Sequence, residues 1–326
     1  MKARLIFLSI VVLAGVTGGF TYCSKAATVG GTPVDSTLKG LAEAYPHDAG
    51  IEKDASVLYV EKFDDGLDKI AARYDDVRNK DGMSTEADVP DGSVSHSIKM
   101  TNTGGQNDGG HLYKLFPGGF DSTIYLRYYV KYPSVSKGYI HHESVWFGGY
   151  NPGTTYTNPR AGSCGLGDAR ISIAYEPVVV PGMDTYLYWG GMRSWNGGGS
   201  CYGNDMVNGS PTARNIAWDQ WMCIEVMVKL NNPVTAYNGE LRVWQDGKEV
   251  GYWGPGFPQG YWDADSWYNN TVSPGFEGFR WRTDAHLNIN YIWIEFYDDK
   301  SPAGENHYIK YSNLVMARKY IGPMKK

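Results

Sequence analysis

Hydrophobic and polar residues alternate with a period of two along many short runs of this chain, most clearly between residues 218 and 253. Ile224, Val226, Val228 and Leu230 fall on one side of an extended backbone, and Cys223, Glu225, Met227 and Lys229 on the other. A polar connection containing Gly and Asn separates this run from residues 240–250. Asp246-Gly247 then offers a tight turn before a short return strand, so the stretch predicts an antiparallel hairpin. Residues 123–131 alternate as clearly, setting Ile124, Leu126, Tyr128 and Val130 against Tyr125, Arg127, Tyr129 and Lys131. One face suits a core, while the other offers rings and cations and makes Arg127 and Tyr129 candidates for contact with sugars.

Further strands are predicted over residues 57–63 and 93–100, from His111 up to a Pro117-Gly118-Gly119 turn, and over 137–150, 168–175, 185–189, 279–282, 288–297 and 308–317. Residues 251–274, rich in Trp and Tyr, read as a long loop, and residues 26–54 as a polar linker with one short helical turn near 38–44. No repeat or coiled coil interrupts the pattern. The folded domain is therefore expected over residues 55–326.

Composition agrees with this reading. Gly 41, Tyr 25 and Trp 11, with only 20% charged residues, suit turn-rich β-structure rather than a helical bundle. A net charge of -5 argues against nucleic acid or an anionic membrane as the main partner, but leaves room for an acidic polysaccharide in a locally basic cleft. Lys2 and Arg4, followed by an apolar run over residues 5–16 that is short for a bilayer span, read as a secretory or lipoprotein signal ending near residue 25. Export follows: to the medium, the periplasm or the cell surface of a bacterium. Cys23 is the candidate for lipidation and outer-membrane attachment, although Phe20-Thr21-Tyr22 departs from the usual small residues; cleavage near residues 24–27 is the alternative.

An exported chain can carry disulfides, and Cys164 and Cys201 both sit in Gly-rich loops, which predicts a bridge between them. Cys223 lies inside a strand and reads as a small buried hydrophobe. No Cys or His spacing fits zinc. Glu61, Asp64 and Asp298 are hard oxygen donors that could hold a structural calcium between the first and last strands, with solvated turn acids as the alternative. No cofactor is otherwise required, and a monomer is expected.

The Ile224-Glu225 strand, the Asn231-Asn232-Pro233 loop, the Leu241-x-Val243-Trp244 strand and the Asp246-Gly247 turn resemble the late hairpin of concanavalin-A-like jelly rolls. That resemblance implies an all-β, two-sheet antiparallel β-sandwich. The architecture is shared by bacterial polysaccharide lyases, glucanases and non-catalytic carbohydrate binders, so it does not select a chemistry.

Hydrolysis on such a sandwich usually needs two nearby carboxylates, commonly in a Glu-x-Asp-x-x-Glu strand. That pattern is absent, and Glu143, Glu176, Glu225 and Glu295 stand singly. β-Elimination instead needs a donor that neutralises a uronate carboxylate, plus a base and an acid. Arg170 and Ser172 share one face of a predicted strand, and Tyr186 and Tyr188 share a face of the next.

This pair of strands resembles polysaccharide lyase family 14 and the related alginate and glucuronan lyases, in which a Ser-x-Arg strand precedes a Tyr-x-Tyr strand and follows a Lys strand with a Gly-Gly loop. The resemblance implies that Arg170 neutralises the carboxylate, with Asp168 at the serine position, and that Tyr186 and Tyr188 serve as acid and base. His141, His142 or Glu143, ahead of Gly148-Gly149, would stand where the family has its lysine, with His142 added to the catalytic set. Ser172, Arg193, Asn290 and Trp293 join Arg127, Tyr129, His141 and Glu143 as expected substrate contacts. The plain alternatives remain: Arg170 as an ion-pair partner, the tyrosines as sheet cover, and the histidines as structural residues. Three functions follow, in order: a lyase acting on a uronate glycan, a cell-surface carbohydrate binder without catalysis, and a glycoside hydrolase.

Overall fold

The computed structural model describes residues 39–326, apart from 106–108, 141, 152, 154–160, 163, 165–168, 208–212 and 299. The signal or lipoprotein reading of residues 1–25, Cys23, His141 and Asp168 lie outside the described residues.

Two antiparallel sheets face each other. Strands are numbered in chain order. The first sheet holds β1 (Val57–Glu61), β3 (Met83–Glu86), β4 (Ser97–Asn102), β6 (Thr123–Lys131), β10 (Trp221–Lys229), β11 (Glu240–Gln245), β12 (Lys248–Trp253) and β16 (His307–Ala317). They run in the order β12-β11-β10-β6-β16-β4-β3, with β1 also on β16. The second sheet holds β2 (Asp76–Arg78), β5 (Gly110–Phe120), β7 (Glu143–Tyr150), β8 (Arg170–Val179), β9 (Gly182–Tyr188) and β15 (Ile289–Phe296), in the order β2-β5-β15-β7-β8-β9. The sandwich expected from the alternation is present.

Its core is built by the inward faces read from the sequence. Ile124, Leu126, Tyr128 and Val130 of β6 and Ile224, Val226 and Val228 of β10 meet Phe147, Ile173, Ile292 and Ile294 of the second sheet in one apolar cluster. The hairpin of β10 and β11 pairs from Ile224 with Gln245 to Lys229 with Glu240. Asp246 and Gly247 take φ values of 52° and 72°, the left-handed pair that joins β11 to β12 with the twist of the strands. Residues 251–274 are not a plain loop: β13 (Gly260–Asp263) and β14 (Ser266–Asn269) form a small hairpin, and Trp253 and Trp267 belong to the core.

The outward face of the first sheet is covered by the segment from residue 39 to β1 and by the residues after β16. From residue 39 the expected linker packs down in short helical turns, burying Ala42, Asp48 and Ile51, the last against Val315, Ala317 and Ile321. Arg127 is wholly buried there. Its Nη2 lies 2.5 Å from Asp48 Oδ2, and Nη1 donates to Asp48 Oδ1 and to the Gly322 carbonyl. The Tyr129 hydroxyl accepts the Met324 N–H, and Glu225 accepts those of Ile321 and Gly322. Arg127 and Tyr129 thus hold the segments around Asp48 and Met324 and do not face a binding surface. Alternation assigned them to the right side of the strand but could not show what covers that side.

The three acids expected to hold calcium have contacts of their own, while Asp298 Oδ2 is buried without a hydrogen-bond partner among the described residues. Glu61 pairs with Arg73 at 2.6 Å and accepts the Phe63 N–H, Asp64 meets His96 Nδ1 at 3.2 Å, and Asp298 Oδ1 accepts the N–H groups of Lys300 and Ser301. Among the described residues no group of three or more acids, histidines or cysteines is arranged to hold a metal. The expected bridge between Cys164 and Cys201 is formed, and Cys223 is a buried free thiol. No helix among the described residues is long and apolar enough to cross a membrane.

Candidate functional site

The outward face of the second sheet is the aromatic one. Tyr113 of β5, Trp146 and Tyr150 of β7, Tyr188 of β9, and Tyr291 and Trp293 of β15 form a second cluster there, separate from the core. The strands that carry them pack closely because β7 ends in glycines. A Cβ on Gly148 would stand 2.0 Å from the Ile171 carbonyl oxygen, and one on Gly149 1.8 Å from that of Asn288. Side chains at these two positions would push β8 and the start of β15 away.

Strands β8 and β9 put the predicted chemistry on this face. Their register sets Ser172 opposite Tyr188, Ala174 opposite Tyr186 and Glu176 opposite Asp184. The Arg170 guanidinium lies over the Tyr188 ring at 4.8 Å from its centre. The Tyr188 and Tyr186 rings are 5.6 Å apart, and the Tyr186 and His142 rings 4.6 Å apart. Arg170, Tyr188, Tyr186 and His142 therefore form one row. The Ser172 hydroxyl accepts a 2.7 Å hydrogen bond from Tyr291 and stays on the floor.

Exposure grades along the row. Tyr188 is 1% exposed and Arg170 3%, while Tyr186 and His142 are half-buried and provide the solvent-facing end. Burial holds both phenols protonated above the ordinary tyrosine range; for Tyr188 the Arg170 charge offsets part of that rise. The protonated phenols are hydrogen-bond and proton donors. Tyr186 is braced from behind, since Gly203 lies flat against its ring and leaves no room for a side chain. Gly203 follows the bridged Cys201, and Asn204 pairs with Leu187, so the disulfide loop backs the row directly.

Carboxylates collect at the histidine end. His142 Nδ1 lies 2.5 Å from Glu176 Oε1, which is fully buried. Beside it Asp184 Oδ1 accepts the backbone N–H groups of Thr185, Met206 and Val207, while Asp205 Oδ1 has no partner among the described residues. Both aspartates are pushed up, by burial first. Asp205 is raised further by the charges of Asp184, Asp265 and Glu176. The three N–H donors favour the charged form of Asp184, whereas Asp205 Oδ1 has no such donor, so Asp205 holds its proton the more firmly of the two.

The remaining expected contacts divide. Trp293 belongs to the aromatic floor, 5.8 Å from the Trp146 ring. Asn290 is a clamp: its amide accepts from and donates to the Tyr150 backbone, so it does not face a ligand. Glu143 is wholly buried on the inward side of β7 with Val145 and Phe147, as strand alternation requires of a residue two before Val145. Arg193 lies in a different depression, paired with Glu277 at 3.3 Å. Trp146, Tyr150 and Tyr291 were not singled out from sequence, and Glu176 was noted only as one of four glutamates standing singly. The Trp146-x-Gly148-x-Tyr150 alternation was the available signal for two of them.

No family model and no curated protein sequence matches this chain. Solved structures do. A variant of the alginate lyase Aly36B in complex with an alginate tetrasaccharide superposes with a TM-score of 0.51 at 13% identity, over 82% of this chain and 95% of that one. The family 14 alginate lyase of Aplysia kurodai gives 0.53 at 14% identity, over 80% of this chain and 99% of that one. The chain therefore has the jelly-roll fold of these enzymes.

Proposed function

We propose that this protein is an exported polysaccharide lyase that cleaves a uronate-containing glycan by β-elimination. The observation that carries this reading is the continuous row of Arg170, Tyr188, Tyr186 and His142 on one aromatic face. A sugar held at the solvent-facing Tyr186 and His142 end directs its carboxylate along the row toward Arg170, which neutralises it and makes the C5 proton acidic. The His142 imidazole removes that proton, since histidine is the side chain whose ordinary range spans neutral pH. The C5–H electrons form the C4=C5 double bond and the C4–O bond breaks. Tyr186, held protonated by burial, gives its proton to the leaving glycosidic oxygen. The products are an unsaturated uronate end and a new reducing end. Solved structures of the same fold that act on alginate support the substrate class.

One observation favours a second reading. Arg170 and Tyr188 are almost out of water while the aromatic Tyr186 and His142 end is accessible, which suits a face that stacks a sugar without bringing the guanidinium to its carboxylate. Incubating the purified protein with alginate, glucuronan, pectate and neutral glucans separates the two. The lyase reading expects ultraviolet absorbance from unsaturated ends with at least one uronan and none with neutral glucans. Binding without any rise in absorbance supports the second reading and rejects the first.

A further inference from the structure

At the end of β9 the surface carries a second depression, of about 390 Å3, which falls in the size range of small-ligand sites. Trp189, Trp281 and Tyr237 give it aromatic walls, and Arg193, Glu277 and Arg280 its charges. Trp189 directly follows Tyr188 in the chain but turns its ring to the core side, so the depression lies at the end of β9, one residue beyond the row. The two arginines are held differently. Glu277 pairs with Arg193 and also accepts the indole N–H of Trp262, over whose ring the Arg193 guanidinium lies at 5.5 Å. Arg280 lies over the exposed Tyr237 ring at 5.6 Å, and no carboxylate among the described residues pairs with it. The Trp281 indole N–H has no acceptor among the described residues although that side chain is wholly buried.

An aromatic wall, one guanidinium neutralised by Glu277 and a second without a carboxylate among the described residues together describe a site for a ring with one negative charge. We infer that this depression binds a uronate unit of an acidic oligosaccharide, with Arg280 meeting the carboxylate and Tyr237 packing on the sugar. Resting on the reading of the row as the place where a uronan is cut, it takes a unit of the same chain beyond the cleavage point. Grip on long chains then comes from both places, and grip on short ones from the row alone.

Calorimetric binding of alginate, glucuronan or pectate oligosaccharides of increasing length tests this, with neutral glucan oligomers as controls and Arg280→Ala and Tyr237→Ala as variants. Binding is read directly, so absence of unsaturated product removes the lyase reading without touching this one. The expected result is an affinity that steps up with length in the parent protein. In Arg280→Ala that step falls roughly tenfold, as for loss of a charged hydrogen bond, with trisaccharide affinity and thermal midpoint preserved. Three results overturn the inference: parental affinity of Arg280→Ala for long acidic chains, an equal loss for trisaccharide and long chains, or no binding of acidic oligosaccharides to the parent protein. Tyr237→Ala separates the roles, because it lowers affinity for long chains while leaving their dependence on salt intact. A Tyr237→Ala protein that binds long chains as the parent does also counts against the site.

Discussion

His142 Nδ1 sits 2.5 Å from a carboxylate oxygen of Glu176, a side chain with no exposed surface. A carboxylate at that distance takes the Nδ1–H and leaves Nε2 as the basic nitrogen, turned away from Glu176. His142 has a φ of 63°, so the backbone itself is bent to put the ring there, between Glu176 and Tyr186.

Glu176→Gln keeps the shape of this contact and offers the ring the wrong hydrogen-bond partner. For cleavage of the preferred uronan, kcat is expected to fall by roughly 10–10²-fold with KM nearly unchanged, and His142→Ala to cost about 10²–10⁴-fold. Steady-state kinetics on unsaturated-end formation measure both. A glutamine variant with parental kcat removes Glu176 from the mechanism.

How far the sequence could be read follows from what alternation encodes. It located the β6 and β10 strands, their inward residues and the Asp246-Gly247 turn, because these depend on local period and turn chemistry alone. It also placed Arg170 and Ser172 on one face and Tyr186 and Tyr188 on another, and the register of β8 with β9 joins those faces. It failed where the outcome depends on what lies opposite. Arg127 met Asp48 from 79 residues away, and Asn290 met the Tyr150 backbone. The Glu176–His142 contact spans 34 residues and could not be seen from either strand alone.

Arg170 combines charge with a flat surface laid on Tyr188. Arg170→Lys keeps the charge and loses the planar fork, so it is expected to lose much of what Arg170→Ala loses. The alanine variant should lower kcat/KM on uronans by about 10²–10³-fold, the usual effect of removing a donor at a developing charge. Absorbance assays on a uronan series check the order parent, lysine, alanine. A lysine variant with full activity shows that charge alone suffices.

Gly203 has a φ of 95° and presses on Tyr186, with a would-be Cβ 2.7 Å from the ring carbons. Gly203→Ala combines backbone strain with displacement of a phenol from the row, and is expected to cost about 1–3 kcal/mol of stability. Activity should fall more than stability alone explains, because the folded variant still has a misplaced proton donor. Urea unfolding together with kcat on the folded protein checks it.

Asp205 gives a stability effect with a definite sign. Its carboxyl is pushed up in the folded protein by burial and by Asp184, Asp265 and Glu176, so the folded chain holds a proton there that the unfolded chain releases near the ordinary aspartate range. Stability from this group is full at acid pH, below the unfolded value, and is lost as pH rises toward the raised folded value. Asp205→Asn removes the charge that must otherwise form. The variant should match the parent near pH 4 and exceed it increasingly toward pH 8, by about 2–4 °C in thermal midpoint per kcal/mol. Thermal unfolding across that range checks the slope; a parallel pair of curves would mean Asp205 is ionised in the fold.

The pair of Arg127 and Asp48 fixes the segment from residue 39 over the first sheet, on the far side from the row on the other one. Both side chains are out of water, and removing only one strands a charge. Asp48→Ala is expected to cost about 3–5 kcal/mol. Replacing both, as Arg127→Met with Asp48→Leu, removes the stranded charge along with the attraction and should recover most of that loss. Chemical unfolding of the three proteins measures it, and the folded variants should keep parental kcat because the row faces the opposite side of the sandwich. A double variant as unstable as Asp48→Ala would show that the segment from residue 39 is held by the ion pair's geometry, and that its apolar contacts through Ile51 do not hold it alone.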